Sequence, residues 1–378
     1  MAGGMKILVL NAGSSSLKYD VWETSLEAIA AQLDRRLMQG EAERVASMGD
    51  AFKSVFAQLG DTKIEAVGHR VVHGGDLFHA SVVVNDAVEK QIESLSVLAP
   101  LHNPHNVEGI RAARAALPDI PHVAVFDTAF HYTLPPYAYA YALPYDYMKE
   151  KKIRRYGFHG ISHRYVSWKF AQLHGKTTAL YKLISCHLGN GCSVCAVEHG
   201  RSVDTSMGFT PLEGLMMGTR SGDVDAGAIL HLIMHEKMEP AAVLQTLNSE
   251  SGLKGLSGVS NDMRDVLKRA SEGDERSELA VETFCYRVRK YIGSYLAAMN
   301  GADAVIFTGG IGENSAGIRM RICEGLSNLG VAIDGSANMA ASRDPRQIGS
   351  GPVHVWVVPT QEELLIARDT LRCIAASQ

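Results

Sequence analysis

Lys6-Ile7-Leu8-Val9-Leu10-Asn11-Ala12-Gly13-Ser14-Ser15-Ser16-Leu17-Lys18-Tyr19-Asp20-Val21-Trp22 is the stretch on which the fold turns. A short β-type run enters a turn of Asn, Gly and Ser, and period-two alternation resumes at Leu17. This predicts a hairpin with a small, hydroxyl-rich tip. Ser185-Cys186-His187-Leu188-Gly189-Asn190-Gly191 repeats the design in the second half of the chain, again followed at once by β-type sequence. The echo fits a duplicated domain with one phosphate-facing hairpin in each half, and chance similarity between glycine turns explains it almost as well.

Further β-type runs occur at 66–72, 81–84, 122–126, 304–307 and 353–358. Helical spacing occurs at 51–59, 86–98, 106–117, 163–174, 226–235, 278–299, 316–329 and 362–375. For the last helix, Thr360 with Glu363 three residues on reads as a capping box. Interspersed strands and helices predict α/β layers around a central sheet. With 378 residues, 46% of them hydrophobic and 21% charged, two or three domains with sizeable cores are expected. The polar stretch 145–155 reads as the hinge between halves.

A balance of 37 Lys and Arg against 41 Asp and Glu gives a net charge of −4, without the basic excess of a nucleic-acid binder. No apolar run approaches the roughly 18 residues of a membrane helix, and Ile7 to Leu10 is too short for a signal peptide. A cytoplasmic protein without a membrane partner is expected. The six cysteines are too sparse for a disulfide scaffold. Cys192 and Cys195 match a CxxC spacing, but on a strand they face opposite ways and are expected to be buried and structural.

Gly13–Ser16, Gly189–Gly191 and Gly309-Gly310-Ile311-Gly312-Glu313-Asn314 each follow a β-type run, and their small residues let backbone N–H groups approach phosphate. No P-loop is present, and the third stretch lacks the last glycine of the dinucleotide fingerprint. Arg70 in His69-Arg70-Val71-Val72-His73-Gly74-Gly75 and Arg220 in Met217-Gly218-Thr219-Arg220-Ser221-Gly222 sit beside glycine turns. Such guanidinium groups suit carboxylate or phosphate, and a structural ion pair is the equal alternative for each. The i, i+4 pairs His231/His235 and His159/His163 lack both the HExxH glutamate and a third ligand, which argues against zinc. Magnesium suits the oxygen donors better, with Asp127, Asp204, Asp262, Glu313, Glu362 and Glu363 as candidates.

Taken in order, these motifs resemble the acetate kinase family, in the acetokinase branch of the actin/sugar-kinase/Hsp70 superfamily. Asn11–Lys18 resembles its first signature, and Arg155-Tyr156-Gly157-Phe158-His159-Gly160-Ile161-Ser162-His163 its second. His69–Gly75, Pro100–Pro104, Phe126–His131, His187–Gly191, Asp204–Arg220 and Phe307–Ser315 are also similar, so the likeness runs from Lys6 to about Arg368. Gly309 stands where the family commonly has alanine, His105 where it has proline, and the region 22–45 is short.

The resemblance implies two RNase H-like (actin/sugar-kinase-like) α/β domains flanking a nucleotide cleft. Residues 1–150, completed by a C-terminal helix over 362–378, would form the first. Residues 151–361 would form the second, nucleotide-binding and dimer-forming. It implies an ATP-dependent kinase making acetyl phosphate from acetate by direct in-line transfer, as a homodimer. Propionate kinase is the close alternative, and a non-catalytic or chaperone-like ATPase the distant one. Asn11 and Glu362 would hold Mg2+ (or Mn2+ in its place), and Lys18 would meet ATP phosphate. Arg70 would bind the substrate carboxylate, with Val72, Leu101, Phe158 and Pro211 around its alkyl end. Asp127 takes the family's acid/base position, and His159 and Arg220 would stabilise the transition state. His187, Leu188, Gly189, Asn190 and Gly191 would cradle the ATP phosphates. Asp262, Met263, Arg264, Gly310, Ile311, Gly312, Glu313 and Asn314 would hold the nucleoside.

The physics agrees. A carboxylic acid with a pKa near 4 is already ionised at neutral pH, so the nucleophile needs no base. The task is to bring two anions together and neutralise the transferring group. Asp127 is therefore expected to orient an arginine or a metal-bound water rather than remove a proton.

Overall fold

The computed structural model describes residues 4–13, 16–43 and 48–377. Ser14 and Ser15 of the first turn lie outside the described residues. The chain divides into two compact units, Met1–Tyr132 with Gln361–Gln378, and Thr133–Thr360.

In the first unit the opening stretch forms strands β1 (Met5–Ala12) and β2 (Ser16–Thr24), paired antiparallel with Asn11 opposite Lys18. Strands β3 (Arg35–Glu43), β4 (Ala66–Val71), β5 (Val82–Val83) and β6 (His122–Phe126) complete a sheet of order β3-β2-β1-β4-β6-β5. β4 runs parallel to β1 and β6 parallel to β4, while β3 and β5 are antiparallel edges. Ile7, Leu8, Val9 and Leu10 are all buried, the unbroken apolar run of a strand covered on both faces. Leu8, Leu10 and Tyr19 pack with Phe52 and Val55 of the helix Met48–Leu59 and Ala113 of the helix Asn103–Ala116. The final helix, Glu362–Ser377, packs on β1, β4 and β6. Its close approach requires Gly68, where a Cβ would stand 2.4 Å from Thr370 Oγ1.

The second unit repeats this plan. Strands β7 (Lys182–Leu188), β8 (Cys192–Glu198) and β9 (Arg201–Thr205) form an antiparallel meander. β10 (Ala304–Thr308) runs parallel to β7, β12 (His354–Val357) parallel to β10, and β11 (Arg346–Gln347) antiparallel at the edge. The order β11-β12-β10-β7-β8-β9 is the first sheet's order read in reverse, with the same sense at every pairing. The sequence echo between Leu8–Ser14 and Ser185–Gly191 is thus an echo of topology. Each passage is the central strand of a six-stranded mixed sheet leaving through a hairpin.

Two expectations are corrected. The passage between units falls at Tyr132/Thr133, earlier than the break expected after residue 150. The stretch 145–155 is no hinge, because it is bound into the second unit. Tyr145–Lys149 is helical, and Arg155 donates to the carbonyls of Thr205, Ser206 and Met207 and to Glu213 Oε1. Cys192 and Cys195 are buried on β8 and bond separately, to the Gly189 carbonyl and Ser202 Oγ. Burial pushes the Cys192 thiol up to about 12, which keeps it protonated and inert. No described helix is long and apolar enough to cross a membrane.

Candidate active site

In the first unit the parallel register of β4 and β6 carries Arg70 and Asp127 to the same end of the sheet. Val71 faces Phe126, and the Asp127 amide donates to the Val71 carbonyl at 3.0 Å. Arg70 donates to both oxygens of Asp127, Nε to Oδ1 at 3.1 Å and Nη2 to Oδ2 at 2.7 Å. Glu362, the first residue of the final helix, stands 3.7 Å from Arg70 Nε. Burial works against the Arg70 charge, but the carboxylates of Asp127 and Glu362 outweigh it and raise the guanidinium above its ordinary value. Asp127 is buried, whereas Arg70 keeps a fifth of its side chain open, so the pair leaves one edge of the fork accessible.

Sequence reasoning passed over the residue that ties this end together. Asn106 accepts from the Val72 amide at 3.0 Å and donates to the Ala12 carbonyl at 3.0 Å. Asn103 bonds both the amide and the carbonyl of His73. The helix Asn103–Ala116 thereby fixes the exits of β1 and β4, which carry Asn11 and Arg70. Pro104 in its first turn was the available signal, since proline there marks a helix start. Leu101 lies just before this helix, half exposed. Lys18 is mostly exposed, its amine 4.0 Å from Glu41 on the neighbouring strand. Asn11 and Glu362 offer neutral and anionic oxygen donors. Among the described residues no group of three or more His, Cys, Asp or Glu side chains gathers to hold a metal. Two protein oxygens, with phosphate and water completing the shell, is a donor set that fits magnesium.

In the second unit, His159 closes the turn into the helix Gly160–Leu173 with a left-handed backbone, φ +57°. Its ring lies 4.2 Å from that of His187, centroid to centroid. A Cβ placed on Gly191 would stand 3.4 Å from His159 Nε2 and 3.6 Å from Arg220 Nη1, so the imidazole and the guanidinium meet at this glycine. Arg220 donates to the Pro211 carbonyl at 3.1 Å. Among the described residues no carboxylate pairs with it, and burial holds its guanidinium below the ordinary value. The loop bearing Pro211 and Arg220 is anchored by Glu213, which receives Arg155 at 2.6 Å and Tyr141. Phe158 is fully buried in this unit, and Val72 belongs to the first.

A cavity of about 490 Å³ gathers Gly189, Asn190, Asp262, Met263, Arg264, Gly310, Ile311 and Asn314, with Asn261, Leu267 and Ser315 added to the set the sequence singled out. Asp262 caps the helix Met263–Ser271 and pairs with Arg264 at 2.5 Å. Leu188 and Gly312 are buried instead, and His187 bonds Ser162 Oγ at 2.8 Å. Glu313 turns inward, with Oε1 accepting from the amides of Gly309 and Thr360. The stretch Gly309–Asn314 is thus a short helix rather than an open turn. Gly309 holds φ +77°, and a Cβ there would meet the Leu188 carbonyl at 2.8 Å. The buried Arg319 braces this helix by donating to the carbonyls of Gly312 and Glu313. Nothing in its sequence surroundings marks that role.

Comparison with known proteins gives the chain's family. The model of the Acetokinase family matches residues 6–368. An acetate kinase of Solibacter usitatus is 48% identical, over 98% of this chain and 98% of its own. The crystal structure of Porphyromonas gingivalis acetate kinase superposes with a TM-score of 0.90 at 38% identity, covering 98% of this chain and 100% of that one. A propionate kinase from Francisella tularensis gives 0.90 at 41%, covering 97% and 99%. With the family model spanning nearly its whole length, the chain belongs to the acetokinase family.

Proposed function

We propose that the protein catalyses reversible phosphoryl transfer from ATP to acetate, giving acetyl phosphate and ADP in one in-line step. The observation that carries this reading is Arg220. A half-buried guanidinium with no carboxylate partner among the described residues, set beside an imidazole and a glycine turn, is suited to receive an anion. The family supplies the kind of anion, and the names of the relatives supply acetate.

Arg70 binds the substrate carboxylate, with Asp127 and Glu362 holding the guanidinium charged and in place. Val72, Leu101, Phe158 and Pro211 surround the alkyl end. His159 and Arg220 take up charge on the transferring phosphoryl group, where donors fixed in a low-dielectric site do most. The cavity at Gly189, Asp262 and Gly310 receives the nucleoside. Lys18 swings from Glu41 to a phosphate. Asn11 and Glu362 would hold Mg2+, which would supply positive charge to screen the ATP phosphates from the incoming carboxylate. The helix Ala226–Met234 buries none of its residues although it reads Ala-Gly-Ala-Ile-Leu-His-Leu-Ile-Met, and we assign that face to a homodimer contact. A cytoplasmic location goes with these substrates.

Propionate is the second reading, favoured by the likeness to the Francisella tularensis enzyme. One methylene in an apolar pocket discriminates by only about 1–3 kcal/mol. Trapping acyl phosphate with hydroxylamine, across acids of two to four carbons with ATP and Mg2+, tests both. Acetate giving the highest kcat/KM supports the first reading and propionate the second. No hydroxamate from any of the acids overturns both.

A further inference from the structure

An imidazole stabilises phosphoryl oxygen as a neutral donor only if the nitrogen facing it carries the proton. His159 Nδ1 lies 2.9 Å from Ser193 Oγ. The same hydroxyl lies 2.7 Å from Nε2 of His163, and His163 Nδ1 lies 2.9 Å from Ser185 Oγ. Ser185, Ser193 and His163 are fully buried. β7 and β8 place the two serines and the helix Gly160–Leu173 places His163, so the row is built from rigid elements.

A serine hydroxyl has one proton, so Ser193 donates to one imidazole and accepts from the other. With neutral rings the row has two directions. In the first, Ser185 donates to His163 Nδ1, His163 Nε2–H donates to Ser193, and Ser193 donates to His159 Nδ1. His159 then holds its proton on Nε2, the nitrogen beside Gly191 and Arg220. In the second, His159 Nδ1–H donates to Ser193 and Nε2 is left as a lone pair, which repels phosphoryl oxygen.

We propose that Ser193 and His163 are positioning residues that hold His159 as its Nε2–H tautomer, with its donor set before any nucleotide arrives. This rests on the phosphoryl-transfer reading for the role of His159; for the tautomer it rests on Ser185, whose buried hydroxyl bonds only His163 Nδ1 among the described residues and therefore donates there, which sets the first direction. The reacting atoms touch neither Ser193 nor His163; both act through His159.

The test pairs kinetics with a spectrum. Protein labelled with 15N at histidine reports the His159 tautomer through two-bond proton–nitrogen correlations, with a His159→Gln sample for assignment. Nε2–H in the wild type and a mixture in Ser193→Ala are expected. Ser193→Ala should lower kcat about ten- to a hundredfold with KM for both substrates changed less than about threefold, while Ser193→Thr, which keeps the hydroxyl, should recover most of it. An Nδ1–H tautomer in the wild type overturns the proposal, as does an unchanged kcat in Ser193→Ala. If the alanine variant does not fold, the wild-type spectrum alone decides. A wild type that makes no acyl phosphate sinks the phosphoryl-transfer reading instead and leaves the spectrum to judge the relay.

Discussion

Asp127 and Arg70 meet in a two-point pairing, Nε to Oδ1 at 3.1 Å and Nη2 to Oδ2 at 2.7 Å, across strands that lie 57 residues apart in the chain. Both oxygens of the carboxylate are thus committed to orienting a cation. Removing a proton from an acid that is already ionised would add nothing.

The pairing predicts the behaviour of Asp127→Asn. An amide offers one acceptor where the fork needs two, so Arg70 loses its aim, and kcat/KM should fall by about a hundredfold or more. The loss should be even between about pH 6 and 9, because the substrate acid is already ionised there and Asp127 acts by holding Arg70 rather than by passing a proton. A pH–rate limb present in the wild type and gone in the asparagine variant would show that Asp127 titrates after all.

Arg220 predicts a different pattern. Among the described residues it has no carboxylate such as those that hold Arg70, so its removal strands no buried anion, and Arg220→Ala should fold normally. Its loss should appear in kcat, by about a hundred- to a thousandfold, as for a donor realised in the transition state. Arg220→Lys should recover only part, since a point charge cannot serve both the Pro211 carbonyl and a phosphoryl oxygen. Near-normal kcat in a folded alanine variant removes Arg220 from the chemistry.

Asp20 gives a stability prediction away from catalysis. Burial, with the neighbouring Glu363 charge and against the pull of Arg36, raises its carboxyl to about 6. A raised acid stabilises the fold while protonated and loses that contribution as pH climbs through its folded value. Asp20→Asn removes the buried charge, so its Tm should exceed the wild type's at pH 7.5 by about 2–4 °C, with the gap about halved at pH 5. Thermal melts at the two pH values check it, and a gap that does not change with pH refutes the assignment.

How much of this was legible depended on where the determining contacts lie. β1 and β7 could be read because burial on both faces leaves an apolar run that ends at a turn. β3 could not, because Arg35–Glu43 is an edge strand that tolerates charge, and its Gly40 answers to the Tyr19 ring, which a Cβ there would meet at 2.7 Å. Thr360 shows a local signature overridden from outside. The sequence satisfies a capping box, but the helix starts at Glu362 while Thr360 receives Ser162 Oγ and donates its amide to Glu313. Arg70 and Asp127 each drew notice as residue types beside turns, but their pairing is set by the register of β4 on β6. Asn106 works by meeting backbone groups 34 and 94 residues away, and Arg319 by meeting the carbonyls of the short helix before its own, and no spacing rule reports either.

Val72 offers the test of substrate size. It follows β4 two residues after Arg70, half-buried, with its amide fixed by Asn106. A residue so placed should lie against the alkyl end of an acid whose carboxylate sits on Arg70. Shortening it to alanine frees the volume of about one or two methylenes, and each methylene buried is worth about 0.8 kcal/mol. The void also weakens the hold on the shorter acid. Val72→Ala should therefore raise the kcat/KM ratio of propionate or butyrate to acetate several-fold, up to about tenfold. Because the Asn106 bond is to the backbone, the substitution leaves Arg70 anchored, and kcat for the preferred acid should stay within about threefold. If Val72 is plain core, thermal stability drops and the ratio holds. Steady-state kinetics with the three acids, beside a melting curve, separates the outcomes. An unchanged ratio in a stable variant would place the alkyl pocket away from Val72.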